Sequence, residues 1–418
     1  MSGNGMEITP AVRVLRRSGF TIAADGSYAA CLAEAGVAGE GDTGEGGADS
    51  GGGVVSGWFV ERWTLAGPEP YAVPLPGAQP EEAGTQLVPL PDGRVLIRRR
   101  VADRHDLALL YPTGPGTGEL PIGSLRGDAV TLLPPSPLAG TAFALVHEAG
   151  DEGGGDGEGE GDGVTSVWQV CGAGNDGPVP VLRVTGRCTG GVWLDRAGRL
   201  LALDRTLDGR TKAVAVDLHL GEASPLLQLT EDSDDRLVLA EPDSGLLLLR
   251  SDATGEARLG WGVLGSRRPV RFPDALQVPG VQLTPVAAQP GQILQPEAVV
   301  VALRAEVPGG AESLALWRPG ERRPHWRASP PGWLGAAGFW GADDLLRLPC
   351  SVPEWPCGVA AYEAPRLGAA GALPSSSGTS ASPSSAGSPG AARVRTPKRR
   401  ACRVLPLQQA PLGAAKAG

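Results

Sequence analysis

The sequence predicts an all-β fold in which one four-stranded unit is repeated. Short apolar or alternating segments recur along most of the 418 residues, and such segments are typical of buried and half-buried strands. Asp and Gly stand between these segments, at positions where a chain reverses direction. Groups of four segments recur at a spacing of about 40 residues, which indicates a repeat architecture.

The clearest copy of the unit lies between residues 192 and 230. Its turns contain Arg196-Ala197-Gly198-Arg199, Asp208-Gly209 and Gly221-Glu222. Apolar runs flank these turns, at residues 192–195, 200–203, 213–216 and 226–229. Four short strands joined by tight turns match the antiparallel sheet of one blade of a β-propeller.

The other copies are less regular but follow the same order. Seven can be placed, at residues 21–73, 86–122, 129–184, 192–229, 236–272, 281–327 and 338–362. We therefore expect a single β-propeller that occupies residues 10–365 together with 402–412. Seven blades are expected, and six blades are the alternative.

The ring is expected to close near the chain termini. The seventh copy lacks an outer strand, which residues 402–407 would supply. Residues 11–15 are the competing segment, because they are similar to the outer strand of another copy. An open sheet edge is a liability. We expect residues 402–407 to complete the last blade, with the N-terminal segment beside it.

One hairpin carries a family resemblance. Residues 90–97, LPDGRVLI, resemble the Pro-Asp-Gly hairpin of TolB-like and WD40-like β-propeller repeats, and weaker copies occur at Asp25-Gly26 and at residues 195–201. The Gly-His and Trp-Asp pairs of true WD40 repeats are missing from the sequence. The resemblance covers most of residues 10–365 at the level of fold. It implies that ligands bind on the face that carries the connections between blades.

The net charge of −9 is concentrated in two Gly-rich segments, at residues 33–53 and 147–163. Neither segment contains Lys or Arg, and together they hold twelve carboxylates, which is more than the net charge: Glu34, Glu40, Asp42, Glu45, Asp49, Glu148, Asp151, Glu152, Asp156, Glu158, Glu160 and Asp162. Such segments bury too little apolar surface to fold. We expect disordered acidic inserts at residues 35–53 and 149–163, both between the second and third strands of a blade.

A Ser/Pro/Ala-rich linker with a basic end is expected at residues 366–401, because its residues are too small and polar to pack. The basic end is a candidate contact for nucleic acid or an acidic membrane, through Arg393, Arg395, Lys398, Arg399 and Arg400. One short basic run on an acidic chain more often solubilises a linker. Nucleic acid is therefore not an expected partner.

The sequence gives little support for catalysis. It has no Gly-x-Ser-x-Gly nucleophile elbow, and its Gly-rich segments do not follow a strand and open a helix, as a phosphate-binding loop does. Its histidines, His105, His147, His219 and His325, lie in different copies of the unit. We expect no catalytic residues, no metal and no cofactor.

The cysteines and the ends of the chain bear on the compartment. No apolar stretch is long enough to span a membrane, and residues 1–17 do not have the pattern of a secretory signal. We expect a cytoplasmic and monomeric protein. Cys350 and Cys357, which flank a predicted hairpin, are expected to be thiols; a disulfide is the first alternative and a metal site the second.

Tryptophans crowd into the last two copies, at positions 317, 326, 333, 340 and 355. Core packing is expected for most of them. Trp326, Trp333 and Trp355 lie near prolines in predicted loops, and Trp is enriched at binding hot spots. They are the candidate partner-binding residues.

These observations favour a non-catalytic interaction scaffold that docks an as yet unidentified protein partner through the face carrying the inserts. The alternative is a propeller enzyme or small-molecule sensor that uses the central channel. Converging charged residues in the channel would favour the enzyme or sensor. An apolar patch on one face would favour the scaffold.

Overall fold

A computed structural model describes residues 13–36, 57–114, 116–150, 163–172, 177–335, 337–341 and 343–366. Besides two short 3-10 turns, Asp274–Leu276 and Pro296–Ala298, the elements are β-strands. In chain order they are β1 (Arg13–Ile22), β2 (Tyr28–Gly36), β3 (Gly57–Thr64), β4 (Tyr71–Leu75), β5 (Gln86–Pro89), β6 (Val95–Val101), β7 (Arg104–Pro112), β8 (Thr117–Arg126), β9 (Ala129–Leu132), β10 (Ala142–Glu148), β11 (Val164–Cys171), β12 (Val179–Thr185), β13 (Arg187–Trp193), β14 (Leu200–Leu207), β15 (Arg210–Asp217), β16 (Glu222–Leu227), β17 (Asp235–Glu241), β18 (Leu246–Ser251), β19 (Arg258–Val263), β20 (Gln282–Ala288), β21 (Val301–Glu306), β22 (Ser313–Trp317), β23 (His325–Ala328), β24 (Phe339–Trp340), β25 (Leu345–Val352) and β26 (Trp355–Glu363). The predicted all-β class is confirmed.

The strands pair antiparallel in the order of the sequence. The consecutive sets are β1–β4, β5–β8, β9–β12, β13–β16, β17–β19, β20–β23 and β24–β26, called below the first to the seventh set. The fourth and fifth sets share one sheet, because Lys212 of β15 pairs in parallel with Asp235 of β17. The described strands therefore form six hydrogen-bonded sheets. Blade number and ring closure stay predictions.

Local sequence explains the hairpins. Asp208 and Gly209, between β14 and β15, have φ values of 51° and 70°. Positive φ at both central residues is what a two-residue type I′ turn requires, and Asp-Gly suits it. The LPDGRVLI hairpin closes through a bond from the amide of Leu90 to the carbonyl of Arg94 and another from the amide of Arg94 to the Asp92 carboxylate. Both predicted turns are confirmed.

Apolar layers lie between consecutive sets. Leu32 and Val60 of the first set pack with Val95 and Leu110 of the second. The first strands of several neighbouring sets are also in contact: β1 with β5, β5 with β9, and β20 with β24. Because each sheet is covered on both faces, its strands read as nearly continuous apolar runs. Truncating one fully buried Leu to Ala would cost about 2–5 kcal/mol.

The first and seventh sets are also in contact. Phe20 and Trp63 of the first set share a cluster with Phe339 of the seventh. Arg17 donates from Nη1 to Ser351 Oγ at 2.6 Å, and its Nε lies 2.6 Å from the Glu61 carboxylate. A partly buried, charge-assisted bond and an apolar cluster therefore join the first and seventh sets.

Some sequence predictions are corrected here. Ala35, placed in the first insert, pairs with Val14 of β1, and Gly36 pairs with Arg13. Residues 13–15 of the N-terminal segment thus belong to β1 of the first sheet. Two of the twelve carboxylates also belong to ordered strands: Glu34 pairs with Arg16 at 2.5 Å and Glu148 with Arg183 at 2.7 Å. Residues 37–56, 151–162, 367–401 and 402–412 lie outside the described residues.

Within the described part of the chain, no helix is long and apolar enough to cross a membrane.

Candidate functional site

The strand order defines two faces. Because each set is antiparallel and sequential, the loops between its second and third strands lie at the same end as the connections to the next set. We call this end the insert face, since the predicted inserts leave β2 and β10 there. The opposite end, formed by the turns between first and second strands and between third and fourth strands, is the hairpin face.

The three candidate tryptophans do not form one exposed patch. Trp326 is only 8% exposed and packs in an apolar cluster with Leu283 and Val301. Trp333 is half-buried, and its Nε1 donates to the carbonyl of Ala337 at 2.8 Å. Trp355 is 45% exposed in the β25–β26 hairpin. The expectation of exposure was wrong for Trp326, because the neighbouring prolines border a strand, β23, that packs inward.

The cysteines on β25 and β26 carry thiols, with no disulfide between Cys350 and Cys357. Burial raises the pKa of the Cys350 thiol and raises that of Cys188 to about 11. A thiol with a raised pKa is mostly protonated at neutral pH and is a weak nucleophile. The basic run from Arg393 to Arg400 lies outside the described residues.

The most exposed apolar side chains lie on the hairpin face. Ile293 and Leu294, in the loop between β20 and β21, are 70% and 83% exposed. Leu294 has a φ of 56°, a left-handed conformation that costs a non-glycine residue about 1–2 kcal/mol. An exposed and strained leucine contributes little to folding, so contact with a partner is a reason for it to be there.

Polar contacts hold this loop in place. The amide of Gly291 donates to Asp243 Oδ2 at 2.8 Å, and the amide of Leu294 donates to the Asp243 carbonyl at 3.2 Å. Asp243 also binds Arg196 through two bonds of 2.5 and 2.6 Å. The Arg196 guanidinium lowers the pKa of Asp243. The β20–β21 loop is therefore anchored to the first hairpins of the fourth and fifth sets.

A cavity lined by side chains of both charges, among them Glu82 and Asp128, lies on the insert face between the second and third sets. Its volume is about 320 Å³, and its lining includes Arg98 and Arg100 of β6 and His105 of β7. Side chains alternate along a strand, so Arg98 and Arg100 share one side. Arg99 points to the other side, where it pairs with Glu81 at 2.8 Å. The run of three arginines is thus divided between a structural ion pair and a cavity.

A buried carboxyl group lies beside the first strand of the fourth set. Asp204 accepts a bond from the amide of Leu237 at 3.0 Å, and burial raises its pKa to about 6. Gly190 and Gly191 form a bulge in β13 opposite it, with φ values of 76° and 137°. A Cβ at Gly190 would lie 3.3 Å from Asp204 Oδ2. A perturbed acid beside a bulge is a feature of functional sites as well as of strained structural ones.

Sequence patterns alone do not identify the arginine cavity or the exposed apolar loop. The run Arg98-Arg99-Arg100 is visible in the sequence, but its division follows only from the strand period and from partners distant in sequence. The exposure of Ile293 and Leu294 has no local signal beyond an apolar pair in a Pro/Gly-rich loop. Across the described ranges, no group of three His, Cys, Asp or Glu side chains could hold a metal.

No protein-family model matches the sequence, and no curated protein matches it significantly. Among solved structures, the chain is similar to an acylaminoacyl peptidase of Pyrococcus horikoshii at 11% identity and a TM-score of 0.49, covering 83% of this chain and 51% of that one. It is similar to TolB of Acinetobacter baumannii at 10% identity and a TM-score of 0.38, over 73% and 76% of the two chains. It is similar to the Dos1 propeller at 8% identity and a TM-score of 0.39, over 77% of this chain and 78% of that one.

The chain spans about half the length of the peptidase structure. At these identities and TM-scores, the likeness concerns the fold alone and carries no argument about activity or partners. The β-propeller resemblance predicted from LPDGRVLI is confirmed at that level.

Proposed function

We propose that the chain is a seven-bladed β-propeller that acts as a non-catalytic scaffold and docks a protein partner through one face. The observation that carries the proposal is the anchored apolar tip Ile293-Leu294. The sequence predicts docking on the insert face, but these most exposed apolar side chains favour the hairpin face. A cytoplasmic location and a monomeric state remain predictions of the sequence.

The tip has the properties of a binding anchor. Burying one exposed Ile or Leu side chain in an interface contributes about 1.5–3 kcal/mol. The bonds from Gly291 and Leu294 to Asp243 hold the loop before binding. A loop that is already ordered loses less conformational entropy when a partner binds. Two apolar side chains on such a loop can therefore contribute much of the binding free energy of an interface.

Site-specific photo-crosslinking in cells tests the proposal. A crosslinking residue is placed at Ile293 and, as a matched control, at Leu220, which is 59% exposed in another loop of the hairpin face. We expect one protein to be crosslinked from position 293 and not from position 220. That protein is then purified and titrated against the unmodified chain.

Two variants complete the test. Ile293→Ser removes an apolar side chain, and Leu294→Gly removes another at a position whose backbone suits glycine. Each should weaken binding of the purified partner by about tenfold or more, equivalent to about 1.4 kcal/mol, whereas Leu220→Ser should not. Unchanged affinity in both variants, or equal crosslinking from both positions, would refute the hairpin-face docking site.

Asp204 favours the alternative, an enzyme or small-molecule sensor. Its pKa of about 6 gives it a protonated fraction near neutral pH, as a general acid or a proton sensor needs. If the alternative holds, Asp204→Asn should abolish a ligand response while the crosslinking from Ile293 is unchanged.

A further inference from the structure

Arg98 is a half-buried cation, and no carboxylate of the described residues forms an ion pair with it. Its Nη1 lies 2.7 Å from His105 Nδ1, and its Nη2 lies 3.4 Å from the carbonyl of Gly84. Its Nε is shielded from solvent and has no hydrogen-bond acceptor among the described residues. Removing a charged group from water is unfavourable unless an opposite charge compensates for it. The described residues around Arg98 therefore leave its positive charge without a compensating negative group.

The hydrogen bond to His105 fixes the state of the imidazole. A guanidinium can only donate, so Nδ1 of His105 accepts the bond and the ring is neutral, with its proton on Nε2. Burial, together with Arg98 and Arg100, lowers the pKa of His105. Burial and the neighbouring Arg100 likewise lower the pKa of Arg98. Each of these shifts would be reduced by a negative charge in the cavity.

The acidic groups of the cavity do not supply that charge. Glu82 and Asp128 are exposed lining residues, and in the described part of the chain neither forms an ion pair with Arg98 or Arg100. Asp128 instead accepts a bond from the amide of Ala149 at 2.7 Å. Arg99, by contrast, is paired with both Glu81 and Glu119. Arg99 thus has two carboxylate partners, whereas Arg98 and Arg100 have none among the described residues, which leaves room in the cavity for an anion.

We propose that this cavity, lined by Arg98, Arg100 and His105, binds an oxyanion, which is a phosphate or carboxylate group of a small ligand. Guanidinium groups bind such anions by charge-assisted and often bidentate hydrogen bonds. The exposed Arg100 attracts the anion, and Arg98, positioned by His105, holds it. This site lies on the face opposite the Ile293-Leu294 tip, so it goes beyond the docking function and stands independently of it.

Calorimetric titration of the full chain with inorganic phosphate and, separately, with acetate tests the site. One saturable site is expected with at least one of the anions. Tighter binding of phosphate assigns a phosphoryl ligand, and tighter binding of acetate assigns a carboxylate ligand. Failure of both anions to saturate a single site would overturn the proposal.

Variants locate the binding. Arg98→Gln and Arg100→Gln should each weaken it by about tenfold or more. Arg104→Gln is the matched control, because Arg104 lies in the same hairpin but is paired with Asp106 at 2.8 Å. Arg100 is exposed, so its variant folds even if the Arg98 variant does not. Equal weakening in the Arg104 variant, or none in the Arg100 variant, would contradict the assignment.

The imidazole provides a second measurement. In an NMR titration, the pKa of His105 should rise when the anion binds, because the negative charge offsets Arg98 and Arg100. A structural role for Arg98 alone would leave the His105 pKa insensitive to added anion, and that result would also overturn the proposal.

Discussion

The Lys212 ammonium lies 3.0 Å from Oδ2 of the fully buried Asp235 and joins the fourth set of strands to the fifth. It also donates to the carbonyls of Thr230 and Ser233, at 2.6 and 2.5 Å. Asp235 accepts further bonds from Ser251 Oγ and the amide of Leu229. Burial alone would raise the pKa of Asp235, but these bonds outweigh it and lower the pKa. The connection between the sets is thus built around one ion pair.

We expect Lys212→Met to lower the free energy of unfolding by about 3 kcal/mol or more, because removing one partner of a buried pair leaves the other charge uncompensated. Denaturant unfolding measures the change. Arg210→Met is the control, since Arg210 is exposed in the same hairpin and its loss should cost less than about 0.5 kcal/mol. Similar losses in the two variants would show that the ion pair is not what stabilises the connection.

Asp204 should make stability fall as pH rises. Its pKa of about 6 in the folded chain exceeds the unfolded value of about 3.9, so the folded state binds more protons between these pH values. Ionisation of Asp204 therefore lowers the free energy of unfolding. This loss is absent below about pH 4 and complete above about pH 6, where it amounts to about 3 kcal/mol. Asp204→Asn should remove this dependence and stabilise the chain at pH 7.

Urea unfolding between pH 4 and pH 7 compares Asp204→Asn with Asp103→Asn, a change at an exposed turn residue. The stability difference between wild type and the Asp204 variant should grow with pH, and that for the Asp103 variant should stay nearly constant. Parallel pH profiles for all three proteins would show that Asp204 titrates normally.

The buried Trp326 and the exposed Trp355 should respond differently to truncation. Trp326→Ala should cost about 3–5 kcal/mol, as large-to-small changes in a core do. Trp355→Ala should cost less than about 0.5 kcal/mol, as expected for a surface position. Thermal unfolding of both variants is the measurement. A small effect at Trp326 would mean that this side chain is not part of the core.

Deleting the acidic segments should leave the fold intact. β10 and β11 already pair from Glu148 to Val164, so removal of residues 151–162 leaves a short hairpin loop. Removal of residues 38–55 does the same between Ala35 and Gly57, which also pair. The free energy of unfolding should change by less than about 1 kcal/mol. A drop of several kcal/mol would show that the segments are packed against the sheets.

The sequence predicts the strands well because their signals are local. Asp208-Gly209 identifies its turn from two residues alone. By contrast, Asp235 lies 23 residues from Lys212 in sequence, and no local pattern marks them as partners. Trp326 was misjudged for a related reason: its burial depends on β20 and β21, which come before it in the chain. Contacts between sets, on which the candidate sites depend, therefore need the structure.

The composition of β6 has a consequence for how its strand register is set. Val95, Leu96 and Ile97 are all buried, although they point to alternate sides, and three arginines follow them. Sliding the strand by one residue would still place apolar groups on both sides and a cation beside Glu81. Neither the hydrophobic pattern nor the charge pattern therefore opposes a one-residue slip. In a strand with only one buried face, the alternation of apolar and polar residues would oppose it, because a slip would expose the apolar side chains. The turns at Gly93 and Ala102, with φ values of 83° and 53°, must then fix the position of Arg98, and a changed turn would alter the proposed anion site without unfolding the sheet.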